Sequence, residues 1–76
     1  MNTQNNLDTI LNLYYRIYNN TEYVKFMKGH LLTYTKKDLY EICNIIKGDG
    51  KYFLVNSYDK KHKLIMNIIT NIHILL

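Results

Sequence analysis

Apolar residues recur along the chain at spacings of three and four, the period that places side chains on one face of an α-helix. Three stretches follow this pattern and hold, in turn, Leu7, Ile10, Leu11, Tyr14, Ile17 and Tyr18; Leu39, Ile42, Cys43 and Ile46; and Leu64, Ile65, Ile68, Ile69 and Ile72. A shorter segment, Glu22 to Lys28, lies between the first and second stretches and ends at Gly29. The pattern therefore predicts four helices.

Capping side chains and glycines mark the helix ends, because the chain contains no proline. For the four helices in chain order, the predicted N-terminal caps are Asn6 or Asp8, Thr21, Thr35, and Ser57 or Asp59. The first three helices are expected to end at Asn19-Asn20, Gly29 and Gly48. The third helix has the best local signals, since Asp38 three residues after Thr35 resembles a capping box.

The segment between the last two helices differs from the rest of the chain. Gly48-Asp49-Gly50-Lys51 predicts a turn, and Tyr52-Phe53-Leu54-Val55 is a short β-branched and aromatic run typical of an extended segment. A chain of 76 residues is long enough for one domain and one modest core. We predict an all-α fold, a bundle of three to four helices with a long structured loop or short extended segment between the last two.

Candidate chemistry is sparse, and we predict that the protein is not an enzyme and has no cofactor or metal site. Cys43 is the only cysteine, which indicates a reducing, intracellular setting and favours a buried small hydrophobe. Three histidines lie on separate segments without metal-ligand spacing, and the six acidic residues are scattered. The C-terminal apolar stretch, 64–76, is shorter than the roughly 20 residues of a membrane span, so we predict a core helix and no membrane partner.

Positive charge is concentrated in the second part of the chain. Residues 1–24 carry Arg16 against Asp8 and Glu22, whereas residues 25–76 carry nine lysines against four acids. Such a division is typical of a basic, phosphate-facing surface beside a neutral one. Codon bias offers an alternative, because Asn, Ile, Lys and Tyr make up 37 of 76 residues and all have A/T-rich codons. This composition indicates an A/T-rich genome such as that of a virus, phage or parasite.

Two helix starts and the loop between them carry the most specific pattern. Thr35-Lys36-Lys37-Asp38-Leu39 begins one helix, and Lys60-Lys61-His62-Lys63-Leu64-Ile65-Met66-Asn67-Ile68 begins the other. Residues 35–72 resemble the SAP family, a helix, extended loop and helix module that is typically DNA-binding. Lys61, Leu64, Ile65 and Ile68 align with its Lys-x-x-Leu-Ile-x-x-Ile motif, whereas Tyr58 and Asp59 replace the family's Ser and Gly and the loop is longer. Residues 1–34 would then be a helical N-terminal extension of the same single domain.

The resemblance implies a DNA-binding surface at the two helix starts. Free backbone N–H groups and neighbouring lysines bind phosphate, and an aromatic ring can rest against a sugar or an unstacked base. Lysine reads base edges less well than arginine, so we expect weak sequence preference. The predicted contacts are Lys36, Lys37, Tyr58, Lys60, Lys61 and Lys63; the alternative is that these lysines form an ordinary solvated face.

Tyrosines cluster at the first helix and indicate a second hypothesis. Tyr14, Tyr15 and Tyr18 are dense, and the consecutive pair cannot both face one core. Tyrosine is common at protein interfaces because it combines a large apolar ring with a polar hydroxyl. An interaction adaptor or a self-association surface is therefore an alternative function. The other interpretation is that a chain without Trp and Ala fills its core with tyrosine and isoleucine.

Overall fold

Four α-helices and a terminal 3-10 helix follow one another in the computed structural model, which describes residues 3–48 and 55–76. The elements are α1 (Thr3–Ile17), α2 (Tyr23–Leu31), α3 (Lys36–Lys47), α4 (Lys61–Asn71) and the 3-10 helix Ile72–Leu75. Helix α3 packs against α1 and α4, and α4 also packs against α2. The predicted all-α bundle is confirmed.

Hydrophobic side chains from all four helices form one buried cluster. Helices α1 and α2 supply Leu7, Ile10, Met27 and Leu31; the later elements supply Leu39, Ile42, Cys43, Ile46, Leu64, Ile65, Ile68, Ile69 and Ile72. The predicted stripes of α3 and α4 are thus buried in full. The stripe of α1 was only partly right, because Tyr18 is 51% exposed. The extension 1–34 and the segment 35–76 share this core.

Helix α3 begins and ends where the sequence predicts. The Asp38 backbone N–H donates to Thr35 Oγ1 at 3.1 Å, which satisfies one of the free donors of the first turn. At the other end, the Gly48 N–H donates to the Asn44 carbonyl and the Gly48 φ is +53°. The Thr35 cap and the Gly48 conformation depend only on residues close in sequence, so both helix ends could be predicted without knowledge of the tertiary structure.

The predicted starts of α1 and α2 were wrong. Asn6 and Asp8 lie inside α1, and Asn6 is buried at 5% exposure with an amide nitrogen that has no hydrogen-bond partner among the described residues. Helix α2 begins after Glu22, whose N–H donates to Asn20 Oδ1 at 2.8 Å, so Asn20 and not Thr21 supplies the polar contact.

The predicted end of α2 at Gly29 was also wrong, since the helix continues to Leu31. Leu31 is fully buried, and burying a leucine contributes about 1.5–3 kcal/mol. Glycine inside a helix costs only about 0.5–1 kcal/mol relative to alanine. Packing of Leu31 therefore outweighs the local stop signal.

The loop before α4 lies partly outside the described residues. The predicted turn at 48–51 is described only at Gly48, and the predicted extended run at 52–55 only at Val55, which packs against the edge of the core. Helix α4 is preceded by Lys60 in extended conformation, with no side-chain cap. Because Lys60 holds the N-cap position, neither Ser57 nor Asp59 is the cap. The Asp59 carboxylate instead accepts from the Asn56 N–H within the turn that precedes the helix.

Cys43 is buried in α3, and its thiol donates to the Leu64 carbonyl at 3.5 Å. Burial, with a smaller contribution from the Asp59 carboxylate, raises the pKa of the Cys43 thiol to about 12. The thiolate is the nucleophilic form, and an ordinary cysteine has a pKa near 8.5. We expect Cys43 to react with a thiol-specific reagent at mildly alkaline pH at least 100-fold more slowly in the folded protein than in denaturant. Equal rates in the two states would contradict this burial.

Candidate nucleic-acid interface

An open hollow of about 260 Å³ lies where the start of α3 meets the segment before α4. It is lined by Lys36, Lys37, Tyr40 and Ser57, and most of its lining is apolar. The three α3 residues share one face because they stand at spacings of three and four. Ser57 is distant in sequence, so the fold itself brings the two segments together here.

The turn Asn56–Asp59 forms the second wall and is closed by three hydrogen bonds. The Asp59 N–H donates to the Asn56 carbonyl at 2.9 Å, and the Asn56 N–H donates to Asp59 Oδ2 at 2.9 Å. The Tyr58 N–H donates to Asn56 Oδ1 at 3.0 Å. Tyr58 lies at the tip of this turn with 86% of its surface exposed. Ser57 of this turn lines the hollow, and the ring of the next residue, Tyr58, is exposed to solvent.

The three lysines at the start of α4 differ in what their ammonium groups contact. The Lys61 ammonium donates to the Leu32 carbonyl, at the end of α2, at 2.9 Å. The Lys63 ammonium pairs with Asp59 Oδ1 at 3.3 Å. Lys60 is exposed and immediately precedes the helix. Of the predicted α4 contacts, Lys60 thus matches a phosphate ligand best, whereas Lys61 and Lys63 also have roles within the fold.

The electrostatics of the α4 start favour an anion more than those of the α3 start. The first backbone N–H groups of a helix have no partner within it, and the helix dipole adds partial positive charge. Helix α4 has no acidic residue in its first turn, whereas α3 has Asp38 there. Asp59 and Lys63 offset each other as an ion pair, so the net positive charge at the start of α4 comes from Lys60 and Lys61.

His30 lies on α2 near the same end of the bundle and does not add charge at neutral pH. Its Nε2 lies 2.9 Å from the Tyr34 hydroxyl, and the two rings meet edge to face. Burial lowers the pKa of His30 below its usual 6.5. The imidazole is therefore neutral at physiological pH, and the basic character of this end comes from lysine.

The predicted tyrosine surface is divided between the core and solvent. Tyr14 is half-buried and contacts three other tyrosines, stacking on Tyr18 at 5.5 Å and meeting Tyr15 and Tyr23 edge to face. Tyr23 donates to the Ile69 carbonyl at 3.4 Å, and burial, with a smaller contribution from Tyr14, raises its pKa. Tyr15 and Tyr18 are 58% and 51% exposed. Tyr14 is thus a packing residue, and the two others form the outer surface.

The hollow includes two residues that the sequence analysis did not select, Tyr40 and Ser57. Helical spacing from Lys36 and Lys37 could have identified Tyr40. Asn56 followed three residues later by Asp59 is a typical turn pair and could have identified the turn. Ser57 could not be found this way, because its place beside α3 depends on tertiary packing.

Comparisons with known proteins leave the geometry as the main guide to function. No protein-family model, curated protein or solved structure matches the chain. Across residues 3–48 and 55–76, the helices are too short or too polar to span a bilayer. Within the same ranges, no three His, Cys, Asp or Glu side chains are grouped so that they could hold a metal ion.

Proposed function

We propose that the chain is a small non-enzymatic protein that binds nucleic acid mainly through its phosphates. One observation carries this proposal: the hollow joins Lys36 and Lys37 of α3 to the turn that precedes α4. Two lysines provide positive charge along the α3 side of this concave surface, and Lys60 follows the turn in sequence. Contacts to phosphate supply most of the affinity in such interfaces.

The similarity to the SAP family supports the same interface and extends it to DNA. That family is typically DNA-binding, and here α3 and α4 pack against each other, with the start of α3 at the hollow. Arg16 is the only arginine and lies on α1. Sequence preference is therefore expected to be weak, as suits an accessory factor in replication, recombination or transcription.

The proposed setting is intracellular, in a virus or phage with an A/T-rich genome. The composition supports the genome, with 37 of 76 residues drawn from Asn, Ile, Lys and Tyr. A buried thiol with no second cysteine in the chain supports a reducing compartment. A lysine-rich surface suits this setting because nucleic acid is abundant there.

Substitution of Lys36 and Lys37 tests the proposal. The double variant Lys36→Gln/Lys37→Gln should lower affinity for DNA, because two phosphate contacts are lost. The slope of log affinity against log salt should become shallower by about 1.4 for single strands and 1.8 for duplex. Fluorescence anisotropy of a labelled oligonucleotide, measured between about 50 and 200 mM salt, gives both quantities.

A charge-matched control separates local contacts from net charge. Lys25→Gln/Lys28→Gln removes the same two charges from α2 and should leave the salt slope unchanged. Circular dichroism and thermal melting establish that both variants are folded. Equal slopes for the two double variants, or DNA binding that does not respond to salt, would contradict the proposed interface.

A protein-interaction adaptor remains the second candidate, favoured by the exposure of Tyr15 and Tyr18 on α1. Tyr15→Glu places a charge on this surface while leaving the half-buried Tyr14 in place. If the surface binds a partner, this variant should abolish co-purification of that partner, with a loss of at least 2 kcal/mol if Tyr15 is a hot spot, that is, at least about 30-fold in affinity. Unchanged co-purification, compared with wild type and with the α2 variant Lys25→Gln, would exclude this candidate.

A further inference from the structure

We propose that the nucleic acid is single-stranded, and that an unpaired base stacks on Tyr58 beside the hollow. This inference rests on the proposed function and names its substrate class. Tyr58 has the greatest exposure, 86%, among the large hydrophobic side chains of the described residues. Stacking a second ring on an exposed aromatic ring removes apolar surface from water, and this burial favours binding.

The structure of the turn indicates that the backbone at Tyr58 is fixed. Three hydrogen bonds of 2.9–3.0 Å close the turn Asn56–Asp59, and two of them use the side chains of its first and last residues. Asp59 is in addition paired with Lys63, and the Asp59 side chain is only 13% exposed. A turn anchored in this way holds the Tyr58 backbone in place before a ligand arrives. Preorganisation of this kind lowers the ordering cost of binding.

The hollow beside the turn distinguishes a single strand from a duplex. A duplex presents a ridge of sugar and phosphate and keeps its bases stacked inside, so lysines would bind its phosphates while the apolar lining remained uncovered. An unpaired base has an accessible π-face and fits a concave, largely apolar surface that contains Tyr40. Lys36 and Lys37 on the rim are then placed for the phosphates that flank that base.

The chain's single arginine, Arg16, lies on α1 and does not line the hollow, which points in the same direction. Among the described residues, the cations that line the hollow are Lys36 and Lys37, and lysine does not offer the bidentate fork with which arginine reads guanine in the major groove. Stacking tolerates any base, because every base has a π-face. The site as built therefore suits sequence-tolerant binding of a flexible strand.

The test compares a labelled oligothymidine of about 12 nucleotides with a duplex of the same length, at equal salt, by fluorescence anisotropy. Tyr58→Ala should weaken binding of the single strand by about 5- to 150-fold, the range of alanine substitution at a stacked base. Its binding to the duplex should not change. Tyr58→Phe should bind like the wild type, since the ring and not the hydroxyl provides the contact.

Three controls make the result specific. Tyr15→Ala removes another exposed tyrosine, on α1 and outside the proposed site, and should leave single-strand binding intact. Asn56→Ala removes the Asn56 side-chain contact to the Tyr58 N–H and should weaken single-strand binding while the duplex is unaffected, as expected of a positioning residue. An abasic strand of the same charge should bind wild type and Tyr58→Ala equally.

The outcomes separate this inference from the proposed function. If Lys36→Gln/Lys37→Gln weakens binding but Tyr58→Ala does not, phosphate binding stands and the stacking inference is wrong. Tighter binding of the duplex than of the single strand by the wild type also overturns the inference. If neither set of substitutions changes affinity for either nucleic acid, both proposals fail together.

Discussion

Leu39→Ala is expected to remove about 3–5 kcal/mol from the free energy of unfolding. Leu39 is fully buried on α3, which packs against both α1 and α4. A domain of this length has a total stability of roughly 4–11 kcal/mol. The loss is therefore at least about a quarter of the stability, and it equals or exceeds the whole stability at the low end of that range. No other substitution considered for this fold has a larger expected effect.

Urea denaturation followed by far-UV circular dichroism measures this loss directly. Leu32→Ala is the matched control, because it removes the same atoms from a leucine that is 55% exposed. The Leu32 carbonyl that accepts from Lys61 belongs to the backbone and is kept. We expect Leu32→Ala to change stability by no more than about 0.5 kcal/mol. Equal losses for the two leucines would show that the core is not centred on α3 and its neighbours.

The core could be predicted from sequence because it depends on helical periodicity alone. Leu39 and Ile42 in α3, like Ile65 and Ile68 in α4, recur at spacings that place them on one face, and all four are buried. Such a pattern survives errors of several residues in the helix ends. It therefore identifies the fold class even where individual boundaries are wrong.

Helix boundaries were predictable only where local signals were unopposed. Thr35 caps α3 by accepting from the Asp38 N–H, and the prediction holds there. At Asn6 the local signal was overridden, since α1 begins at Thr3 and buries Asn6 in the bundle. The type of one residue does not show whether the packing of its neighbours will outweigh its preference for a capping position.

The candidate site was predictable in composition but not in geometry. Lys36, Lys37 and Tyr58 were selected from sequence, and the first two line the hollow. Lys61 was selected for the same reason, yet its ammonium donates to the Leu32 carbonyl at 2.9 Å. Sequence gives the charge of a lysine but not which carbonyl or carboxylate lies within its reach. That information comes only from tertiary structure, here from the approach of α4 to the end of α2.

The two glycines next to or inside the described helices should respond to the same substitution with opposite signs. Gly48 has φ +53° and ψ −134°, a conformation that L-residues adopt only with strain. A Cβ there would lie 3.8 Å from the Ile45 carbonyl, which is ordinary contact, so the cost comes from the backbone and not from a clash. Gly48→Ala is expected to destabilise the fold by about 1–3 kcal/mol.

Gly29 lies within α2, and a Cβ added there would meet no atom within 4 Å. Gly29→Ala should stabilise the protein by about 0.5–1 kcal/mol, because alanine restricts the unfolded chain and favours the helix. Thermal melting should therefore show a rise of roughly 2–8 °C for Gly29→Ala and a fall of at least about 4 °C for Gly48→Ala. Gly48→Asn gives a stricter test, since asparagine tolerates left-handed helical angles but not a ψ of −134°. Recovery of wild-type melting in Gly48→Asn would mean that residue 48 is an ordinary left-handed cap, and the strain assigned to it would be wrong.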